Sequence, residues 1–179
     1  MGGCKLSYRF GYSLFSYLSD AWPQLEQLEE NPSSEDYFTA DVLDRMGSER
    51  RATYAETLDP LRKAYPGKVF VLPTSDAMVL AAKHFIRGEL PGIEGLHRVI
   101  GKKERSLWKD QLGHLGPGFE RLEGYVFYAT LYGRSPELIE DVIAFGDDAD
   151  FPSVELDRTF RKIAWQAVVE HPYSGVSDR

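Results

Sequence analysis

The sequence predicts a three-layer α/β/α fold with a parallel sheet, and three observations carry that expectation. The first is Val69-Phe70-Val71-Leu72-Pro73, a short, continuously apolar run rich in β-branched residues. A strand buried on both faces of a parallel sheet reads this way. The second is the helical spacing on either side. Before the strand, Tyr54, Leu58, Leu61 and Tyr65 recur at helical intervals across residues 51–65. After it, Met78, Ala81, Ala82 and Phe85 do the same across residues 77–86. The third is that residues 51–88 thereby form a helix–strand–helix unit of the kind from which three-layer domains are assembled.

Taken in order, residues 14–22 are aromatic and Ser-rich, closed by Pro23, and suit either a strand or a short helix. The acidic stretch 26–36 contains Pro32-Ser33-Ser34 and reads as a surface loop. Pro60 is expected to kink or restart the helix it falls in, and Pro66-Gly67 to end it. Thr74, Ser75 and Asp76 are placed to cap the helix after the strand, which Gly88 stops. Residues 89–109, with Pro91, Gly92, Gly95 and Gly101, lack clear periodicity and read as a long irregular loop of the functional kind. Gly116-Pro117-Gly118 then opens a helix whose inward face is Phe119, Leu122, Val126 and Ala129, flanked by Tyr125 and Leu131 and ended by Gly133. A last helix, residues 153–169, turns Leu156, Phe160, Ile163, Ala164 and Ala167 inward and stops at His171-Pro172.

Composition sets limits on function. A chain of 179 residues with 42% hydrophobic and 27% charged residues suits one domain with a real core. A net charge of −7 and scattered basic residues argue against a nucleic-acid partner, which needs clustered Lys and Arg. Lys102, Lys103 and Arg105 are too few to supply one. The single cysteine, Cys4, excludes an intrachain disulfide. No apolar run is long enough to span a membrane. The Met1-Gly2-Gly3-Cys4 start misses the myristoylation pattern, and no signal peptide is evident. The expectation is a cytoplasmic chain, or a secreted or periplasmic one if the true start lies upstream.

The candidate chemistry centres on Asp110 and His114. A carboxylate beside an imidazole fixes one tautomer and stabilises the imidazolium, which leaves the other ring nitrogen as a general base toward a hydroxyl. Weaker candidates surround them. Ser75-Asp76 ends a strand, His84 lies mid-helix, and His97 lies in the irregular loop. His171 suits a helix C-terminus favoured by the dipole. Asp147, Asp148 and Asp150 lack calcium-loop spacing. Trp22, Trp108 and Trp165 read as core or rim residues, with Trp108 also placed to line a site. No cofactor or metal is called for.

The order of these segments is itself informative. The run Val69-Phe70-Val71-Leu72-Pro73 precedes Asp76-Ala77. Then come Trp108-Lys109-Asp110-Gln111-Leu112-Gly113-His114-Leu115-Gly116 and Phe127-Tyr128-Ala129-Thr130-Leu131-Tyr132-Gly133-Arg134-Ser135-Pro136. This order resembles the C-terminal half of SGNH-type (GDSL-like) hydrolases, over residues 51–136 and most clearly over 108–136. The resemblance implies a flavodoxin-like three-layer domain, incomplete here at its N-terminal side, so that one domain spans 1–179. It also implies hydrolysis of an ester on a carbohydrate or lipid. His114 would be the base, Asp110 its orienting acid and a serine the nucleophile. Two features depart from the family. Three residues separate Asp110 from His114 where the family has two, which changes where the side chains point. No Gly-Asp-Ser-like block is evident, and the one candidate is Gly11-Tyr12-Ser13-Leu14, a Gly-x-Ser shape with an apolar stretch after it. Two readings therefore stay open: an SGNH-like hydrolase, inactive as written for want of a clear nucleophile, or a truncated or degenerate non-catalytic domain serving as an interaction module.

Overall fold

The computed structural model describes residues 16–19, 34–110, 114–140 and 151–177. The elements follow in the order β1 (Ser16–Ser19), a 3-10 turn (Glu35–Tyr37), α1 (Ala40–Ala64), β2 (Val69–Leu72), α2 (Thr74–Ile86), β3 (Gly95–His97), the single turn α3 (Arg98–Gly101), β4 (Ser106–Trp108), α4 (Phe119–Tyr132), a second 3-10 turn (Pro136–Leu138) and α5 (Val154–Glu170). Helix and strand are mixed, and the described strands run in two parallel pairs. β1 lies beside β2 from Ser16↔Val69 to Ser19↔Leu72. β3 lies beside β4 with Gly95↔Ser106 and His97↔Trp108 in register. No described helix is long and apolar enough to cross a membrane.

The main core sits where α2, α4 and α5 meet. The apolar positions expected to face inward on α4 (Phe119, Leu122, Val126, Ala129) and on α5 (Leu156, Phe160, Ile163, Ala164, Ala167) are all buried, with Met78, Ala81 and Ala82 of α2 among them. Phe119 and Phe160 bring their ring centroids to 5.0 Å across the α4–α5 contact. Burying a side chain of this size contributes roughly 1.5–3 kcal/mol, so this face holds the two helices together. Leu58, Val69 and Val71 form a smaller cluster under Tyr54 and Tyr173. There Val71 N donates to Tyr173 O at 2.9 Å, so the chain leaving α5 covers one edge of β2.

Inside the α4–α5 contact lies a charged knot. Asp157 has no exposed side-chain surface. Its Oδ1 accepts from the Tyr125 hydroxyl at 2.7 Å and from Arg121 Nη1 at 3.2 Å. Its Oδ2 pairs with Arg161 Nη2 at 2.8 Å, and Arg161 Nη1 donates to the Ile139 carbonyl. Burial and the hydrogen bond to Asp157 push the Tyr125 hydroxyl pKa up. The network thus ties α4, α5 and the chain after the second 3-10 turn at one point.

Four local expectations need correction. The helix before β2 begins at Ala40, not near residue 51, because Thr39 caps it by accepting from Val42 N at 3.3 Å and Leu43 and Met46 bury one face. Pro60 neither breaks nor restarts it, since the carbonyl that loses its helical donor belongs to the exposed Glu56. Thr74, Ser75 and Asp76 do not cap α2. They form its first turn, Pro73 holds the cap position and no side chain caps it. Residues 89–109 are not one irregular loop, because they hold β3, α3 and β4.

Candidate active site

The Asp110 and His114 side chains are brought together by the way the chain leaves β4. Ser106, Leu107 and Trp108 are all buried, with Trp108 fully so. The chain then reverses on itself. Lys109 N donates to His114 O at 3.0 Å, Gly116 N donates to Leu107 O at 2.7 Å, and Trp108 and Leu115 form an antiparallel bridge. Gly116 is obligatory here, because a Cβ at this position would overlap the Ser106 carbonyl oxygen. Gly118 follows with φ 84°, a left-handed conformation that starts α4 directly below the loop.

Asp110 and His114 therefore stand at the two ends of one closed loop. Gln111, Leu112 and Gly113 between them lie outside the described residues. Asp110 Oδ2 lies 2.7 Å from His114 Nδ1, and Asp110 Oδ1 accepts from His114 N at 3.2 Å. The extra residue relative to the family spacing does not part them, because the backbone pairing of Lys109 with His114 sets the loop ends side by side. With the carboxylate ionised, Nδ1 carries the proton and donates it to Asp110, leaving the Nε2 lone pair as acceptor. The His114 side chain is 60% exposed and that of Asp110 35%. A pair this open to solvent contributes little to stability, so its geometry is not needed to hold the fold. Among the described residues, no serine or threonine hydroxyl hydrogen-bonds the His114 ring.

Other sequence candidates fall elsewhere or take different roles. Ser13, Trp22 and the Asp147, Asp148 and Asp150 cluster lie outside the described residues. His84 is partly buried on α2, its Nδ1 2.6 Å from Glu89 Oε2. His171 caps the C-terminus of α5, as expected, but without the charge that the dipole would favour. Burial, with Arg51 and Arg62 nearby, pushes its pKa down to about 4, so it is neutral at pH 7. Its Nδ1 accepts from Tyr173 N at 3.1 Å. Nε2 stands 3.9 Å from Asp76 Oδ2, too long for a hydrogen bond. This second acid–histidine pair is buried and structural, unlike the open pair at residues 110 and 114.

Comparison with protein-family models, with curated proteins and with solved structures gives no match. The site is therefore read from its own geometry.

That geometry adds two residues beside the pair. His97 ends β3 in register with Trp108 and is buried, with its ring centroid 6.3 Å from that of Trp108. Its Nδ1 accepts from Val99 N at 3.3 Å and so caps α3. Burial lowers the His97 pKa, while the negative charge of Asp110 acts to raise it. Glu35 approaches from the 3-10 turn, and its Oε1 accepts from His97 N at 2.6 Å. A Cβ at either Gly95 or Gly101 would strike this carboxylate. The carboxyl ends of β3 and β4 thus gather His97, Trp108, Asp110 and His114 at one edge. The sequence signal for the added pair is faint: Gly95 and Gly101 bracket His97 at the spacing of a strand and one helical turn.

Proposed function

We propose that Asp110 and His114 are the acid–histidine half of a serine-type ester hydrolase site of the SGNH kind, acting on an acyl group carried by a carbohydrate or lipid. On this reading the parallel strand pairs and flanking helices belong to a three-layer α/β/α frame. The observation that supports it is the 2.7 Å contact between Asp110 Oδ2 and His114 Nδ1 on an exposed loop, with the backbone of His114 held by the same carboxylate. His114 Nε2 removes the proton from an attacking hydroxyl as its oxygen bonds to the acyl carbonyl carbon. The imidazolium is stabilised by Asp110 and returns the proton to the departing alkoxide. Water repeats the sequence and frees the acid.

The test is hydrolysis of p-nitrophenyl acetate by the wild-type chain and by His114→Ala. The rate should fall by about three orders of magnitude or more when the base is lost. Equal rates would overturn the catalytic reading. They would favour the second reading, a non-catalytic interaction module, which draws support from the absence of a hydroxyl on the His114 ring among the described residues.

A further inference from the structure

Between α1 and the chain that leaves α5 lies a cavity of about 250 Å³ that shares no residue with the Asp110–His114 loop. Small side chains open it. Ala52 and Ala55 put only methyl groups on this face of α1, with the buried Leu58 beyond them. The opposite wall is Pro172 and Tyr173, and it is fixed in place. Tyr173 O accepts from Val71 N at 2.9 Å. The Arg62 guanidinium lies 4.0 Å from the centre of the Tyr173 ring and donates to Val69 O at 3.1 Å. A mostly apolar slot with held walls and a few convergent polar groups is the form that small-molecule sites take.

The polar groups of this cavity gather at one end. His171 lines it with 4% of its side chain exposed. Its Nδ1 accepts from Tyr173 N, so the neutral ring carries its proton on Nε2. Nε2 stands 3.9 Å from Asp76 Oδ2, and among the described residues nothing accepts a hydrogen bond from it. A buried donor left without an acceptor is costly, and a ligand oxygen would satisfy it. Arg51 reaches the same carboxylate, with its Nε 3.5 Å from Asp76 Oδ1. Its side chain is 51% exposed, so the outer guanidinium nitrogens remain open. Among the described residues, Arg51 is the charged group on the cavity wall. We propose that this cavity binds a small organic carboxylate with a flat, apolar body. The body lies between α1 and Tyr173, and the carboxylate takes the Nε2–H of His171 and the guanidinium of Arg51. The planar fork of Arg51 serves Asp76 on one side and the ligand on the other. The site stands whether or not Asp110 and His114 hydrolyse an ester.

Benzoate is the probe, with benzyl alcohol and benzylamine as its neutral and cationic counterparts. Each is titrated into the ¹⁵N-labelled full chain at pH 7, and the backbone amides are followed by ¹H–¹⁵N NMR. Benzoate should give saturable shifts at Arg51, Ala52, Ala55, His171 and Tyr173, with a Kd of about 1 mM or tighter, ordinary for so small a ligand. Benzyl alcohol should bind about tenfold more weakly, and benzylamine more weakly still. Arg51→Gln should bring benzoate down to the level of the alcohol, and Arg51→Lys should keep most of the difference. Ala55→Leu fills the slot and should abolish binding of all three probes in a chain whose circular dichroism is unchanged. No saturable shift at these amides, equal binding of benzylamine and benzoate, or binding that survives Ala55→Leu would refute the proposal. So would an Arg51→Gln chain, still folded, that prefers benzoate as strongly as the wild type.

Discussion

Replacing Asp157 with asparagine removes the carboxylate charge that pairs with Arg121 and Arg161 between α4 and α5. Asparagine keeps an oxygen for the Tyr125 hydroxyl, but it cannot neutralise Arg161, whose side chain is 5% exposed, or Arg121, at 12%. Removing one partner of a buried ion pair costs about 3–5 kcal/mol. Domains of this kind are stable by about 5–15 kcal/mol, so the loss is about a fifth of the total or more. With a urea dependence of about 2 kcal/mol per M, the unfolding midpoint should drop by about 2 M, followed by circular dichroism at 222 nm. The companion variant Asp157→Leu/Arg161→Met removes both buried charges at similar volume and should recover most of the loss, since Arg121 can still reach water. A shift of less than about 0.5 M for Asp157→Asn would refute the argument, because it would mean that the guanidinium groups find solvent without opening the helix contact.

Two further predictions concern pH and the loop. His171 is neutral in the folded chain with a pKa of about 4, against an ordinary 6.5 when unfolded. The unfolded chain therefore binds more protons in that window, and stability falls as pH drops from 6.5 toward 4, by about 3 kcal/mol in full. Asp76, raised by burial, contributes the opposite slope just above its ordinary 3.8. The difference between wild type and His171→Gln in urea melts at pH 7 and pH 4.5 therefore isolates the histidine, and equal pH dependence in both would contradict the assignment. Gly116→Ala drives a methyl into the Ser106 carbonyl oxygen. It should cost about 2–4 kcal/mol and split the Lys109–His114 pairing, read as faster amide exchange at Lys109 and Gly116. A folded variant with unchanged exchange would show that the reversal is not as close as described.

Long periodic elements were legible in the sequence, and short ones were not. α4 and α5 each carry a full inward stripe over three or more turns, and Gly133 and Ser153 end and start them as expected. β2 is apolar throughout because the helices and the chain after α5 cover it. The first half of α1 escaped because its stripe, Leu43 and Met46 beside Gly47, is thin and set among charges. β3 and β4 escaped because three residues cannot show an alternation, and because glycines that normally mark turns serve here to admit the Glu35 carboxylate. At the site, Asp110 and His114 were visible as residue types, and the structure gives them a common loop. Their approach depends on backbone pairing across Trp108 and Leu115 that no spacing rule encodes. His97 lies in the same short strands, and the neutrality of His171 is not legible because it comes from burial and from the charges of Arg51 and Arg62, which are remote in sequence.

The central claim is that Asp110 and His114 act as one unit on an ester. A double-mutant cycle on p-nitrophenyl acetate hydrolysis tests it most directly, using wild type, Asp110→Asn, His114→Ala and the double variant. Groups that act together lose their effect together. The double variant should therefore be no slower than His114→Ala alone, with Asp110→Asn slowed by about a hundredfold or more. Additive losses, or a rate that neither substitution changes, would contradict it.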